Sequence, residues 1–127
     1  MLPGDAALGQ VPAYHFRILV AGESDAGHIN FRVGDTPHVL TCAGHIGFEV
    51  RESFRGHHYA LQACRAIAPL VRRMYPAVTI TCDPENCASR RTIEKLGARF
   101  IDQVPVPPND PQYLRGSREK RRYEWRP

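Results

Sequence analysis

Residues 50–60 read Val50-Arg51-Glu52-Ser53-Phe54-Arg55-Gly56-His57-His58-Tyr59-Ala60. Upstream of this stretch apolar side chains alternate with a period of two, and downstream they recur every three to four residues. A strand therefore ends here, a short arginine- and glycine-bearing segment follows, and a long helix begins. A helix start exposes unpaired amides and the positive end of the helix dipole, which suits phosphate oxygens. Gly56 carries no side chain to hold an anion away from the backbone. Arg55 adds a fork of charged donors, and His57 and His58 supply more if their rings turn toward the ligand. The same arginine–glycine pair also occurs as ordinary turn chemistry, so the residues alone leave both readings open.

Working outward toward the N-terminus, Ile46, Phe48 and Val50 mark one face of a strand from about His45 to Val50. Ile29, Phe31 and Val33 mark another over residues 28–33, and Tyr14, Phe16, Ile18 and Val20 a third over 14–20. Three consecutive strands with short links predict an antiparallel meander. Residues 1–13 read as an irregular lead-in. Toward the C-terminus, Ala60, Cys64, Ile67, Ala68, Val71, Met74 and Tyr75 predict an amphipathic helix ended by Pro76, with Pro69 inside it as a kink. Val78–Cys82 is a β-branched strand. A second helix follows, with Asn86 or Asp83 as its cap and Ser89, Thr92, Ile93 and Leu96 inward. Strands over 99–104 and 119–125 flank a proline-rich loop. The order is β-β-β-α-β-α-β-β, an α/β sheet of mixed direction, because a strand–helix–strand step normally makes a parallel pair.

A chain of 127 residues suits one domain, taken as 1–127. No apolar run approaches the ~20 residues of a membrane span, and residues 1–10 lack the order of a signal peptide; the expectation is cytoplasmic, with no membrane partner. The net charge is +4, and the excess is late: Arg115, Arg118, Lys120, Arg121, Arg122 and Arg126. A nucleic-acid footprint is one reading; without base-reading motifs the favoured one is a solvated strand with charged outer positions. Cys42, Cys64, Cys82 and Cys87 lack zinc-ligand spacing and read as buried free thiols. The six histidines are scattered, so no metal site is expected.

Two blocks carry a resemblance. Gly44-His45-Ile46-Gly47-Phe48-Glu49-Val50 followed by Arg55-Gly56-His57-His58-Tyr59-Ala60 resembles the coenzyme-A signature Q/R-x-x-G-x-G/A of the GNAT superfamily of N-acyltransferases. Arg55 and Ala60 match its specified positions, Gly56 follows the arginine at a variable one, and His58 stands where glycine is common. About thirty residues later, Cys82-Asp83-Pro84-Glu85-Asn86-Cys87-Ala88-Ser89 and Ile93-Glu94-Lys95-Leu96-Gly97-Ala98-Arg99-Phe100 resemble the family's N-x-x-S…E-K-x-G-F segment. The pattern is closest to the branch that acetylates ribosomal-protein N-termini.

The resemblance implies a GNAT-like sheet whose central strands, His45–Val50 and Val78–Cys82, splay apart around the pantetheine arm. Acetyl-CoA would be the cosubstrate. Phe48 and Val50 would bond the arm, the amides of Arg55 through Ala60 would hold the pyrophosphate, Asn86 would reach the pantetheine, and Ser89 the helix face beside it. An amide at the end of the splayed strand would serve as oxyanion donor. Transfer would be direct, to a protein N-terminus or a small amine, with Glu49 as the general base. Glu49 reads equally as a solvent-side carboxylate. The tyrosine that many members place seven residues after the asparagine, as general acid, is Ile93 here; Cys64, Tyr59 and Tyr123 are the substitutes considered. Family members commonly begin with a strand and two helices that wall the acceptor site, and only about thirteen residues precede the first strand here. The alternative is a noncatalytic acyl-CoA-binding or regulatory module. Uncovered edge strands also make a homodimer an expectation.

Overall fold

The computed structural model describes residues 11–21 and 24–127, so most of the irregular lead-in lies outside the described residues. Six strands form one sheet: β1 Ala13–Val20, β2 Ser24–Arg32, β3 Ile46–Val50, β4 Val78–Cys82, β5 Arg99–Pro105 and β6 Glu119–Trp125. Their spatial order is β1-β2-β3-β4-β6-β5. Every neighbouring pair is antiparallel except β3 with β4. That parallel step is the one bridged by the long helix α1, Tyr59–Met74, as the crossover argument requires. Helix α2, Cys87–Lys95, links β4 to β5.

Pairing across the sheet sorts its side chains onto two faces, because strand residues alternate. On one face Ile29, Phe31, Ile46, Val78, Ile80, Tyr123 and Trp125 are buried, with Ile67 and Val71 of α1 and Ile93 of α2 packed over them. Each such aliphatic side chain removed from water stabilises the fold by about 1.5–3 kcal/mol. The inward stripe of α1 is Ala60, Leu61, Cys64, Ile67 and Val71. Met74, expected inward, is exposed, because the helix stops beside it and Tyr75 turns to an extended conformation. Pro69 lies on the exposed side of a helix that continues through it, where water can satisfy the carbonyl left without a donor.

The opposite face is polar: His28, Asn30 and Arg32 on β2 run beside Gly47 and Glu49 on β3, then Thr79 and Thr81 on β4. Two segments lie against it that the sequence pattern did not reveal as structured. One is a helical turn, π-type over Val39–Ala43, whose carbonyls accept from this face: Cys42 from Thr81 Oγ1 at 2.6 Å and Ala43 from Arg32 at 3.2 Å. Gly44 closes it with φ +72°, and a Cβ there would come within 3.1 Å of the Thr79 carbonyl and Thr81 amide of β4. The other is helix α3, Pro111–Leu114, inside the proline-rich loop, capped by Asp110, which accepts from the Gln112 amide at 2.9 Å.

Asp110 also joins these two segments. Its Oδ2 lies 2.6 Å from His38 Nδ1, and Cys42 bonds to the same carboxylate. Burial pushes the Asp110 carboxyl up, but the bonds from His38, the Gln112 amide and Cys42 outweigh it and leave the group below the ordinary carboxylate range.

The basic run near the C-terminus is tied down rather than outward-facing throughout. Lys120 is buried against Asp83 at 2.8 Å, Arg122 forks onto Asp102 at 2.7 and 2.6 Å, and Arg121 lies over the Phe100 ring. Of the four free cysteines, Cys42, Cys64 and Cys82 are buried as expected, whereas Cys87 opens α2 and is exposed. No helix among the described residues is long and apolar enough to cross a membrane.

Candidate active site

The parallel pair β3–β4 is in register only at Ile46 and Ile80. His45 secures the closed end: its amide donates to the Thr79 carbonyl at 2.7 Å, and its Nδ1 accepts from the Thr79 amide at 2.9 Å. The imidazole thus replaces a backbone acceptor, which leaves its proton on Nε2, facing Asp35 at 2.8 Å. Beyond this clasp, residues 47–50 have no strand on their β4 side, and the sheet opens into a gap.

A cleft of about 430 Å3 occupies one side of the gap. Phe48, Glu49 and Val50 of β3, Arg55, Gly56, His58, Tyr59 and Ala60 at the start of α1, and Asn86 and Ser89 of α2 line it, together with Arg91 and Lys95. Every residue the sequence nominated for the cofactor borders this cleft except His57, whose ring instead lies 5.4 Å from that of Tyr59. Asn86 caps α2 by accepting from the Ser89 amide at 3.2 Å.

The turn before α1 has the features of an anion cradle. No side chain caps the helix, and among the described residues the amides of Gly56 through Leu61 donate to no other group of the chain. Gly56 has φ +90°, and a Cβ there would meet nothing within 4 Å, so the open space is real. His58 is the N-cap and adopts a left-handed conformation, φ 62°, alone among the described non-glycine residues. That explains why glycine is common at the matching position of the motif: the turn demands a left-handed residue, and histidine bears it at a cost of about 1–2 kcal/mol. The Arg55 guanidinium folds back, its Nε donating to the Val50 carbonyl at 3.0 Å. With Arg91 and Lys95 across the cleft, the rim is cationic and has no carboxylate in the first turn of α1.

A second, polar cleft of about 210 Å3 lies on the opposite side of the gap. Its walls come from β2 and β3, the π-helical turn, Thr81, Gln112 and Lys120. Phe48, Glu49 and Ser89 border both clefts, so they mark where the two meet. Glu49 is largely exposed and faces His28 of the paired strand, with its Oε2 4.0 Å from Nε2. The sequence reading placed Glu49 here but did not find its companions. They come from segments spread between His28 and Lys120 and carry no motif.

A family model for the acetyltransferase (GNAT) domain matches residues 6–99. The chain belongs to the GNAT acetyltransferase family. No curated protein matches it by sequence. Among solved structures, a GNAT-family acetyltransferase from Bacillus anthracis is similar with TM-score 0.64 at 22% identity, over 87% of this chain and 64% of that one. The ribosomal α-N-protein acetyltransferase RimL is similar with TM-score 0.58 at 19% identity, over 80% and 62%. The microcin self-immunity acetyltransferase MccE, solved with acetyl-CoA and AMP, gives 0.62 at 17%, over 94% and 62%. These likenesses are of fold, and the chain spans less than two thirds of each of these three proteins.

Within this GNAT frame the position of the usual tyrosine is filled by Ile93, fully buried in the core. Two of the substitutes are displaced from the cleft. Cys64 is fully buried, and burial pushes its thiol up to about 12. Tyr123 is 1% exposed, and its hydroxyl accepts from Arg121 Nε at 3.0 Å. Only Tyr59 borders the cleft. His38, Cys42 and Asp110 bring metal-ligating atoms within 4.8 Å of one another, a grouping that the scattered sequence positions concealed.

Proposed function

We propose that this GNAT domain catalyses transfer of an acetyl group from acetyl-CoA to a primary amine. The observation that carries the reading is the row of unpartnered amides from Gly56 to Leu61 at the mouth of the cationic cleft. Such a row supplies converging donors for a pyrophosphate without any side-chain rearrangement. The pantetheine arm would lie along the free side of β3 at Phe48 and Val50, beside Asn86 and Ser89, with its thioester at the junction of the two clefts.

The amine would then enter from the polar cleft. Glu49, at the junction and open to solvent, would take the proton of the incoming ammonium directly or through water. Direct transfer is favoured over an acyl-cysteine. Burial holds the Cys42 and Cys64 thiols at about 12 and that of Cys82 at about 11, so none is a thiolate near neutral pH. Cys87 is not among the residues lining either cleft. Of the three substitutes only Tyr59 borders the larger cleft, and it does so at the pyrophosphate end, so the departing thiolate at the junction would take its proton from water. A cytoplasmic setting is part of the proposal, supported by four cysteines that stand free.

Ile93 in place of the tyrosine favours a second reading, a domain that binds acetyl-CoA without turning it over. Calorimetry with acetyl-CoA, followed by thiol release over a panel of amines and peptides, separates the two. Heat with turnover supports transfer, heat without turnover supports the binding module, and no heat overturns both.

A further inference from the structure

Arg32 stands out in the polar cleft. Its guanidinium is half-buried, its NH1 donates to the Ala43 and Gly44 carbonyls at 3.2 Å each, and no carboxylate lies within ion-pairing distance among the described residues. The other charged groups of that cleft are accounted for: Lys120 is held by Asp83 at 2.8 Å, and His28 faces Glu49. Burial pulls the Arg32 pKa down with nothing to offset it. A partly desolvated cation without a counter-ion is costly to maintain. Here the two carbonyls anchor one nitrogen of the fork, which leaves NH2 and Nε for a planar anion.

The guanidinium, held by these two carbonyls, packs against Gly47. A Cβ at Gly47 would meet Arg32 NH1 at 2.8 Å and NH2 at 3.0 Å, so the group lies across this glycine on β3. Glu49 is two residues farther along the same strand and on the same face, its Cα about 7 Å from that of Gly47 at the strand repeat. The cleft therefore presents a cation and a carboxylate side by side, at a spacing set by the backbone.

We infer that the acceptor is an amine that also carries an anionic group, a carboxylate or phosphate several bonds from the nitrogen. Arg32 holds the anion while Glu49 receives the ammonium. This rests on the acetyl-transfer reading for the identity of the reacting amine; the anion site itself does not.

The test compares 4-aminobutyrate and 5-aminopentanoate with butylamine and pentylamine, aminoethyl phosphate with ethylamine, and a short peptide bearing an acidic second residue with its amide. Thiol release is read as kcat/KM, and binding of the same probes in the presence of CoA is read by calorimetry. Acid-bearing probes should exceed their neutral partners at least tenfold in one or both readouts. Arg32→Gln should erase that preference while leaving acetyl-CoA affinity unchanged. Because Arg32→Gln also loses two carbonyl contacts, Gly47→Ala is the second variant; it keeps the charge but displaces the guanidinium, and it should cut the preference severalfold. Preference for the peptide over the amino acids assigns the source as a protein N-terminus, and the reverse as a small molecule.

The inference is overturned if acid and neutral probes behave alike in both readouts, or if Arg32→Gln weakens them equally. Absence of turnover with acetyl-CoA bound and acid-selective binding intact removes the transfer reading and leaves the anion site standing.

Discussion

The two clefts that meet at the β3–β4 gap are built by different means. The larger is made of backbone: a strand end with no neighbour on its β4 side, a left-handed turn at His58, and a helix start whose amides have no partner among the described residues. The smaller is made of side chains from segments scattered along the chain, held by hydrogen bonds that cross the polar face of the sheet. A backbone site depends on local geometry and tolerates varied side chains. A side-chain site depends on which residues distant segments bring together, so it can change partner without changing the fold. The first is thus suited to a cosubstrate common to a family and the second to an acceptor that differs among members.

The sharpest way to break this contrast is Gly56→Glu. The space beyond Gly56 is open, so the chain has room to fold, but the new carboxylate faces the row of amides where phosphates would sit. Acetyl-CoA affinity should fall by two decades or more, about 2.7 kcal/mol, with the melting temperature of the free protein lowered by the strain of a side chain at φ +90°. Near-normal calorimetric affinity would mean that the cradle is elsewhere.

Glu49→Gln addresses the junction. Loss of a general base typically costs 10²–10⁴ in rate, and roughly 10²-fold in kcat is expected here, with acetyl-CoA affinity changed by less than about twofold. Steady-state rates combined with calorimetry give both numbers. Equal turnover by the variant and the parent across the pH range would reduce Glu49 to a solvent-side carboxylate opposite His28.

These two residues also mark how far the sequence could be read. The change of period at residues 50–60, the six strands in order and the nominated residues that border the larger cleft were legible, because each signal is local: alternation, a turn residue, a helix cap. His57 was placed in the cleft because its neighbours were; only the turn geometry separates it from His58. The π-helical turn and α3 were invisible because each is shorter than the periodicity needed to detect it. Arg32 was hidden more deeply. In a strand pattern it is one more polar alternate, and its meaning comes from Gly47 beside it and from two carbonyls of a turn eleven and twelve residues away.

Asp110 tests whether the side-chain cleft depends on its cross-ties. Asp110→Asn removes the charge that His38 faces and keeps the shape, so stability should fall by about 1–3 kcal/mol. The parent should also lose this contribution in acid. The folded Asp110 pKa lies below the ordinary value of 3.8, so its stabilisation is fully present above that value and disappears as the pH drops through the folded pKa. Urea titrations at neutral pH and near pH 3 should show the gap between parent and variant narrowing in acid. A gap that stays constant would assign the effect to something other than the carboxylate charge.

The smallest effect is expected at His58, and it isolates the backbone contribution most cleanly. His58→Gly removes the strain of a left-handed histidine but gives the unfolded chain more freedom, and these terms oppose each other. The net gain should therefore be no more than about 1 kcal/mol, visible as a small rise in the urea midpoint with unchanged slope. Acetyl-CoA affinity should stay within about twofold, because the amides from Gly56 to Leu61 keep their directions when the φ of residue 58 is unchanged. A tenfold loss in the glycine variant would mean that the imidazole itself holds the anion, and the larger cleft would then have to be counted, like the smaller one, as a site made of side chains.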